Sequence, residues 1–201
     1  IDLDKMTDQV WGVLPEWAKD EAREFLDWQY SKVKNLDEAH MAKIRHGLPE
    51  RTFIACDAIK RLWRKAHPAI SSYWKDLEDT VKEAIRNPGV TLPCRRVKIR
   101  RDGAWLRIGL PSGRALCYPN PKVEDDGQIT YTGFNQYTRQ WGRVSTYGGK
   151  LLENITQAVA CDQLLEPMEA IEDARFEIVL HVHDEILAEA PVTAEHTAEY
   201  L

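Results

Sequence analysis

An acidic turn between two short apolar runs is the part of this sequence with the clearest chemistry. The turn is His183-Asp184-Glu185, and the runs occupy residues 176–182 and 186–190. In the first run every even position is apolar, which predicts a strand with one buried face and a fixed register. The two runs therefore predict a hairpin that holds the carboxylates at its tip.

An aspartate held at such a tip suits Mg²⁺, which prefers oxygen ligands and commonly combines one or two carboxylates with substrate phosphates. Asp184 is therefore a candidate metal ligand. Acidic residues also favour turns for local reasons, because their side chains hydrogen-bond the nearby backbone. Spacing alone thus leaves a simple solvated turn open as the alternative.

A zinc site is a further possibility at the same place. His181 and His183 are two residues apart on a predicted strand, so both would project to one face, as zinc-binding pairs do. Such a site needs a third or fourth ligand, and only the adjacent Asp184 and the later His196 are at hand on this side of the chain. A metal-dependent hydrolase with an HxHD site remains an alternative function.

The long helix predicted from about Ser145 to Ala170 carries a polar row beside its apolar stripe. The row recurs at steps of three and four residues and consists of Lys150, Asn154, Gln157 and Cys161. Amide groups both donate and accept hydrogen bonds, which suits the similar base edges of a DNA minor groove. The alternative is an ordinary solvated helix face.

Cations are concentrated in the segment that precedes this helix. Only Asp102 opposes seven of them between Thr91 and Arg114, namely Arg95, Arg96, Lys98, Arg100, Arg101, Arg107 and Arg114. This local excess is a candidate phosphate track, although charged residues on solvent-facing strand positions are also common. Aromatic, amide and cationic residues that could stack on bases and bind phosphates follow at Tyr131, Asn135, Gln136, Tyr137, Arg139, Trp141 and Arg143.

The elements that would position these residues follow in a simple order. Helices are predicted over 7–34, with Pro15 opening a second one, and over 52–66 and 69–86, where Asn87-Pro88-Gly89 ends the last. Short strands with turn signals follow over 90–137, then the long helix, the hairpin and a further helix from Thr193. Consecutive hairpin-linked strands predict an α+β fold with an antiparallel meander.

Composition limits the class of protein. The formal net charge of -5 argues against a small dedicated nucleic-acid-binding module. The four cysteines form no CxxC pair, which indicates a reducing compartment. Without an apolar stretch of membrane-spanning length or a signal-peptide pattern, we expect a soluble, cytoplasmic protein with no membrane partner. The sequence gives no indication of oligomeric state.

Several segments resemble phage-type family-A DNA polymerases in the same order along the chain. Val182-His183-Asp184-Glu185 is similar to the third palm motif of that family, and residues 146–158 resemble the helix that precedes it. Ala66-His67-Pro68 and the meander through Leu116-Cys117-Tyr118-Pro119 are similar as well. The resemblance covers nearly the whole chain.

This resemblance implies a DNA-directed DNA polymerase that adds deoxynucleoside triphosphates to the 3′-hydroxyl of a primer-template DNA with two Mg²⁺ ions. Asp184 would bind metal, Glu185 would shape the site, and His183 would contact the primer terminus. The residues expected at the DNA are Arg95, Arg96, Arg139, Arg143, Lys150, Glu153, Asn154 and Gln157.

The resemblance also implies a partial polymerase domain over 1–201. Residues 1–89 would be a helical, fingers-side part, and 90–201 a palm part with its motif hairpin at 176–190. The family's other metal-binding aspartate and its Lys and Tyr-Gly helix lie upstream of the matched region, and neither is found in residues 1–65. We therefore expect an incomplete fragment that is inactive alone, with an inert DNA-binding remnant as the alternative.

Overall fold

The N-terminal part of the chain consists of helices whose starts are marked by identifiable residues. The computed structural model describes residues 2–34, 36–135 and 138–193, and its first helices are α1 (Leu3–Trp11), α2 (Glu16–Ser31), α3 (Glu38–Ile44) and α4 (Glu50–Ala66). Asp2 and Asp37 cap α1 and α3, because each side chain accepts a hydrogen bond from a backbone N–H of the first turn. Pro15 and Pro49 stand immediately before α2 and α4, where a missing N–H breaks no helical bond.

Small side chains bring α2 and α4 together in the first compact unit, which ends at Ser71. Ala18 and Ala22 of α2 and Ala55 and Ala58 of α4 are at most 2% exposed, and larger side chains such as Leu26 complete two buried clusters. The helices predicted over 7–34 and 52–66 are present as α1, α2 and α4, although α1 begins four residues earlier and α2 ends at Ser31. The short helix α3 was not predicted.

The second compact unit begins at Ser72, within α5 (Pro68–Arg86), and contains the strands. Four strands form an antiparallel sheet in sequential order, β1 (Thr91–Cys94), β2 (Val97–Asp102), β3 (Trp105–Gly109) and β4 (Ala115–Pro119). Three more form a second antiparallel sheet, β5 (Lys122–Val123), β6 (Ile129–Asn135) and β7 (Gln140–Thr146). The predicted meander is therefore present, divided between two sheets and continued to Thr146.

The core of this unit lies between the four-stranded sheet, α5 and a further helix, α6 (Gly148–Leu165). Alternate strand residues turn inward, and Ile99, Leu106 and Ile108 are at most 2% exposed. Leu77 of α5 and Leu151 of α6 pack into the same cluster at 0% exposure. This packing fixes α6 against the sheet.

The single long helix predicted over Ser145–Ala170 is wrong at both ends. The strand β7 continues to Thr146, and α6 ends at Leu165 because Pro167 has no N–H to donate to the preceding turn. A short helix, α7 (Met168–Asp173), then leads to the predicted hairpin, formed by β8 (Glu177–Val182) and β9 (Glu185–Glu189).

Two expectations remain predictions. The helix expected from Thr193 would occupy residues 194–201, which lie outside the described residues. The order of helices and antiparallel strands is compatible with the α+β class.

No helix in the described ranges combines the length and the apolar character that crossing a membrane requires.

Candidate functional site

The acidic turn closes the β8–β9 hairpin with two residues. Val182 pairs with Glu185, so His183 and Asp184 alone form the turn. His183 has a φ of 56°, in the left-handed region, which few non-glycine residues adopt and which His enters more readily than most. A two-residue hairpin turn needs a positive φ at one or both of its central residues, so the turn itself accounts for this conformation. The side chains of His183, Asp184 and Glu185 are exposed, which makes all three accessible to a ligand.

A β-bulge interrupts β8 and changes which side chains share a face. Pairing passes from Ile178 opposite Ala188 to Leu180 opposite Leu187, which leaves Val179 without a paired residue. Because strand side chains alternate with a period of two, one inserted residue reverses the faces of those beyond it.

The prediction that the even positions of 176–182 share one buried face is confirmed for Phe176, which is 5% exposed, and for the half-buried Ile178, but it is wrong beyond the bulge. Leu180 and Val182 are 53% and 46% exposed, and Leu187, opposite Leu180, is 59% exposed. The half-buried residues of the paired strands are instead Ile178, Ile186 and Ala188. The hairpin thus exposes more apolar surface than its sequence pattern indicates.

An open cleft of about 750 Å³ lies between this turn and the C-terminal half of α6. The turn contributes His183 and Asp184, and α6 contributes Gln157, Ala160, Cys161, Gln163 and Leu164. The predicted metal ligand and one predicted DNA-contact residue therefore face the same space. A carboxylate, an imidazole and two amides give the cleft both hydrogen-bond donors and acceptors.

The N-terminus of α6 is fixed by an unusually close approach to α5. Gly148 lies so near that a Cβ built on it would stand 1.8 Å from the Trp74 carbonyl oxygen. Its N–H also donates to a Glu78 carboxylate oxygen at 3.2 Å, which caps a helix whose own N-cap residue, Tyr147, makes no side-chain bond. Burial opposes the charge of Glu78, but Lys82 and the Gly148 N–H hold its pKa below the ordinary value.

A second anchor holds α6 near the cleft. In the β3–β4 turn, the Ser112 hydroxyl donates to an Asp162 carboxylate oxygen at 2.5 Å, and the Arg114 guanidinium forms an ion pair with the same carboxylate. Arg114 also donates to the Ala158 carbonyl at 3.3 Å. The Asp162 side chain is only 12% exposed, so this contact fixes α6 against the β3–β4 turn.

The predicted DNA-contact residues of α6 do not share one environment. Gln157 lines the cleft, whereas Asn154 is half-buried and its amide donates to the Tyr118 hydroxyl at 3.0 Å. Burial raises the pKa of Tyr118. Lys150 and Glu153 are exposed and paired with each other at 3.0 Å, and this hydrogen bond raises the pKa of Lys150. Of the four, Gln157 is the one that faces the turn.

The predicted DNA-contact arginines fall into two groups. Arg95 donates to Asp76 and Ser72 at 2.8 and 2.9 Å, and Arg143 donates to the Asn120 carbonyl at 2.6 Å and to Thr130. These two guanidinium groups are held by contacts within the second unit, although their side chains are 40% and 41% exposed. Arg96 lies in the β1–β2 turn and Arg139 in the β6–β7 turn, and both are exposed. Gln136 and Tyr137 lie outside the described residues.

The cleft offers one carboxylate that could bind Mg²⁺, and the remaining ligands of such an ion would not come from a group of protein side chains within the described ranges. Asp184 is the one carboxylate among the described residues that line it, and Glu185 follows immediately in the chain. Magnesium commonly takes one or two protein carboxylates and completes its octahedron with water and phosphate oxygens. The exposed turn beside an open cleft leaves space for such ligands, so Asp184 is the residue that would hold the ion.

The zinc alternative finds less support in the hairpin geometry. His183 belongs to the left-handed turn rather than to β8, so it does not continue the side-chain alternation of His181. Within the described ranges, no three His, Cys, Asp or Glu side chains are grouped closely enough to hold a metal ion. His196, the third candidate ligand, lies outside those ranges.

Sequence reasoning missed residues on both sides of α6. Leu164 is apolar, but it lies three residues beyond Cys161 and so continues the helical spacing of the polar row. Extending that spacing would have placed Leu164 at the cleft. Gln163 is off that row, and only the fold places it at the cleft. The contact of Ser112 and Arg114 with Asp162 joins residues about 50 positions apart, and no local pattern indicates it.

Comparison with known proteins adds an independent observation. The chain is similar to a DNA polymerase of Bacillus phage SP02, with 35% identity over 136 residues. The matched region is 65% of this chain but 21% of the phage protein, so the chain spans about a fifth of the length of that relative. No protein-family model matches the chain, and no solved structure matches it.

Proposed function

We propose that this chain is part of a template-directed DNA polymerase of family A, and that the cleft between α6 and the His183–Asp184 turn is part of its active site. The observation that carries the proposal is the placement of Asp184 opposite Gln157 across one open cleft. The similarity to a phage protein named DNA polymerase supports the same function. The substrates would be primer-template DNA and deoxynucleoside triphosphates.

Each side chain of the cleft has a role in this proposal. Asp184 provides a carboxylate ligand on a short turn, while Glu185 adds negative charge beside it. His183 offers an imidazole that can hydrogen-bond the primer terminus, and Gln157 offers an amide to base edges in the minor groove. When bound, Mg²⁺ would lower the pKa of the primer 3′-hydroxyl and neutralise charge on the triphosphate.

We also propose that the 201-residue chain alone does not extend a primer. Among the described residues, Asp184 is the one carboxylate that lines the cleft. In a two-metal site both ions are needed, because together they stabilise the attacking and the leaving oxygen, and one carboxylate is too few to hold two ions. Binding DNA without extending it would be the behaviour of this chain by itself. Polymerisation is expected of a longer polypeptide in which this region is joined to a segment that supplies a second metal-binding carboxylate.

Primer extension by both forms tests the proposal. In the longer polypeptide, Asp184→Ala is expected to lower the extension rate about 10²- to 10³-fold, because a bound metal contributes several kcal/mol of transition-state stabilisation. The matched control is Glu185→Ala, at the neighbouring carboxylate, for which a smaller loss is expected. Both side chains are exposed, so neither change should alter the far-ultraviolet circular dichroism.

Three results would contradict specific parts of the proposal. Robust extension by the 201-residue chain, abolished by Asp184→Ala, would show that the chain is active alone. A longer polypeptide that binds primer-template DNA but extends no primer would favour the inert DNA-binding remnant. An unchanged rate in the Asp184→Ala variant of an active longer form would exclude Asp184 as a metal ligand.

A further inference from the structure

The four-stranded sheet has an inner face in the core and an outer face exposed to solvent. Cross-strand pairing places each residue of the outer face beside others of the same face, because side chains of paired residues point the same way. Its central members are Lys98, Arg100 and Asp102 of β2, Trp105 and Arg107 of β3, and Cys117 of β4. The inner face is apolar, so burial of that face fixes which residues remain outside.

Three cations are neighbours on this outer face. Lys98 and Arg100 are two residues apart on β2, which puts their Cα atoms roughly 7 Å apart along the strand. Arg100 pairs directly with Arg107 across β2 and β3. Like charges directly opposite each other destabilise a sheet, so this pair is not explained by folding stability.

Negative charge on the outer face offsets only part of the positive charge of these three cations. Asp102 is the one carboxylate on the face, and the Nε of Arg100 donates to it at 2.5 Å. The side chains of Lys98 and Arg107 form no hydrogen bond or ion pair within the described ranges. These two cations therefore remain available to an external anion.

Other cations of the same segment are engaged in internal contacts. Arg101 donates to the carbonyls of Ile85 and Gly103 at 2.8 and 3.1 Å, on the side of the sheet that faces α5. Arg95 pairs with Asp76, and Arg114 pairs with Asp162. The candidate phosphate track of the sequence is thus reduced to Arg96 in the β1–β2 turn and to the outer-face triad of Lys98, Arg100 and Arg107.

An exposed aromatic ring lies beside the triad. Trp105 is 44% exposed, pairs with Asp102 and is two residues from Arg107 on the same face of β3. Aromatic rings next to cations bind unpaired nucleic acid, because every base offers a face for stacking and the cations follow the backbone. In a duplex the bases stack on one another, so this ring has no base face to contact.

We propose that this outer face binds single-stranded DNA, with Lys98, Arg100 and Arg107 on phosphates and Trp105 stacked on a base. The choice of DNA as the partner rests on the proposed polymerase function. The surface is separate from the α6 cleft, since Tyr118, which receives the Asn154 hydrogen bond from α6, belongs to the inner face of the same sheet. The strand held here is therefore an unpaired stretch outside the cleft.

Fluorescence anisotropy with a labelled 20-nucleotide oligo(dT) tests the proposal on the full 201-residue chain. The variant combines Lys98→Ala, Arg100→Ala and Arg107→Ala, and it should weaken binding about tenfold to 100-fold at 0.1 M salt. The slope of log affinity against log salt should become shallower by about 2, since each phosphate contact on a single strand contributes about 0.7.

The control removes the same charge elsewhere on the chain. Lys43→Ala, Lys75→Ala and Arg86→Ala change exposed helical cations by the same net charge and should leave both the affinity and the slope nearly unchanged. Trp105→Ala should weaken binding about fivefold to 150-fold, while Trp28→Ala, at a tryptophan that is 56% exposed, should have little effect.

Each other outcome overturns the inference. These outcomes are an unchanged salt slope in the triad variant, an equal loss in the control variant, an equal effect on a duplex of the same length, and no binding of oligo(dT) by the wild-type chain. Circular dichroism checks that the triad variant is folded, which is expected because the substituted side chains are exposed. A failure of the polymerase assignment is recognised separately, because it is measured by primer extension of the longer polypeptide, whereas binding of oligo(dT) by the triad requires no extension.

Discussion

Gly148 is the position at which a single methyl group should displace α6 and with it one wall of the cleft. A Cβ at this residue would lie 1.8 Å from the Trp74 carbonyl oxygen and 2.6 Å from its carbonyl carbon, whereas real Cβ atoms essentially never approach within 3.0 Å. Both contacted atoms belong to the backbone of α5, so no side-chain rotation relieves the clash. Gly148→Ala must therefore shift one helix against the other.

The size of the effect follows from what the shift disturbs. The Gly148 N–H would move from the Glu78 carboxylate, and the packing of Leu151 against the core would loosen. Forcing extra methyl groups into a packed site costs typically about 1–3 kcal/mol. The better helix propensity of alanine offsets less than about 1 kcal/mol of this. The lost hydrogen bond to Glu78 adds about 1 kcal/mol and cancels that offset, so a net loss of about 1–3 kcal/mol in the free energy of unfolding is expected.

Gly149→Ala provides a matched control one residue away. There a Cβ would meet the ring of Tyr147 at 2.8 Å, but that side chain is 62% exposed and can move. The control should be neutral or stabilising by up to about 1 kcal/mol. Urea unfolding followed by circular dichroism measures both variants, and hydrogen exchange of α6 locates the change. Equal stability of the two variants, with unchanged exchange in α6, would refute the close approach of α6 to α5.

Three further predictions concern the contacts around α6. The first is Glu78→Gln, which removes an acid whose pKa in the folded state lies below the ordinary 4.5. The wild type should therefore be more stable than the variant above pH 4.5, and this advantage should disappear as the pH falls through the folded-state pKa. Urea unfolding at several pH values measures it, and a constant difference would contradict the assigned hydrogen bond. Asn154→Ala should lower the free energy of unfolding by about 1–3 kcal/mol, because it leaves the buried Tyr118 hydroxyl unpaired. Tyr118→Phe should lower it by about 1 kcal/mol, and a double-mutant cycle of the two should show coupling. Arg114→Ala should cost at most about 1 kcal/mol, and less at high salt, because its guanidinium is half-exposed beside Asp162; an effect independent of salt would argue against the ion pair.

Local sequence signals predicted the elements whose boundaries depend on local chemistry. Proline before a helix, a proline–glycine break after Arg86 and alternating residues in β2 and β3 each act within a few residues, so they could be interpreted without a fold. The end of α6 before Pro167 followed the same rule and could have been predicted. The predicted helix ran past it because the apolar spacing continued to Met168.

Nonlocal contacts decided the parts of the site that the sequence did not reveal. The bulge at Val179 depends on how β9 pairs with β8, and it reversed the predicted faces of the hairpin. Asn154 and Gln157 are both amides on one predicted row. Asn154 donates a hydrogen bond to Tyr118 on a strand distant in sequence, whereas Gln157 lines the cleft. Spacing within a helix states which residues are neighbours, but it does not state which surface they meet.

The same distinction reconciles the acidic net charge of the chain with the proposed binding of single-stranded DNA. A net charge of -5 sums charges over the whole molecule, whereas a bound strand responds mainly to charges within a Debye length, about 8 Å at physiological ionic strength. On the outer face of the four-stranded sheet, the charged side chains are three cations and Asp102, because the fold directs Arg101 to the α5 side and pairs Arg114 with Asp162. Composition therefore excludes a small, uniformly basic module, but it does not exclude a local surface whose cations are selected by strand alternation. The salt dependence of binding measures that local surface, since its slope counts the phosphates neutralised rather than the net charge of the chain.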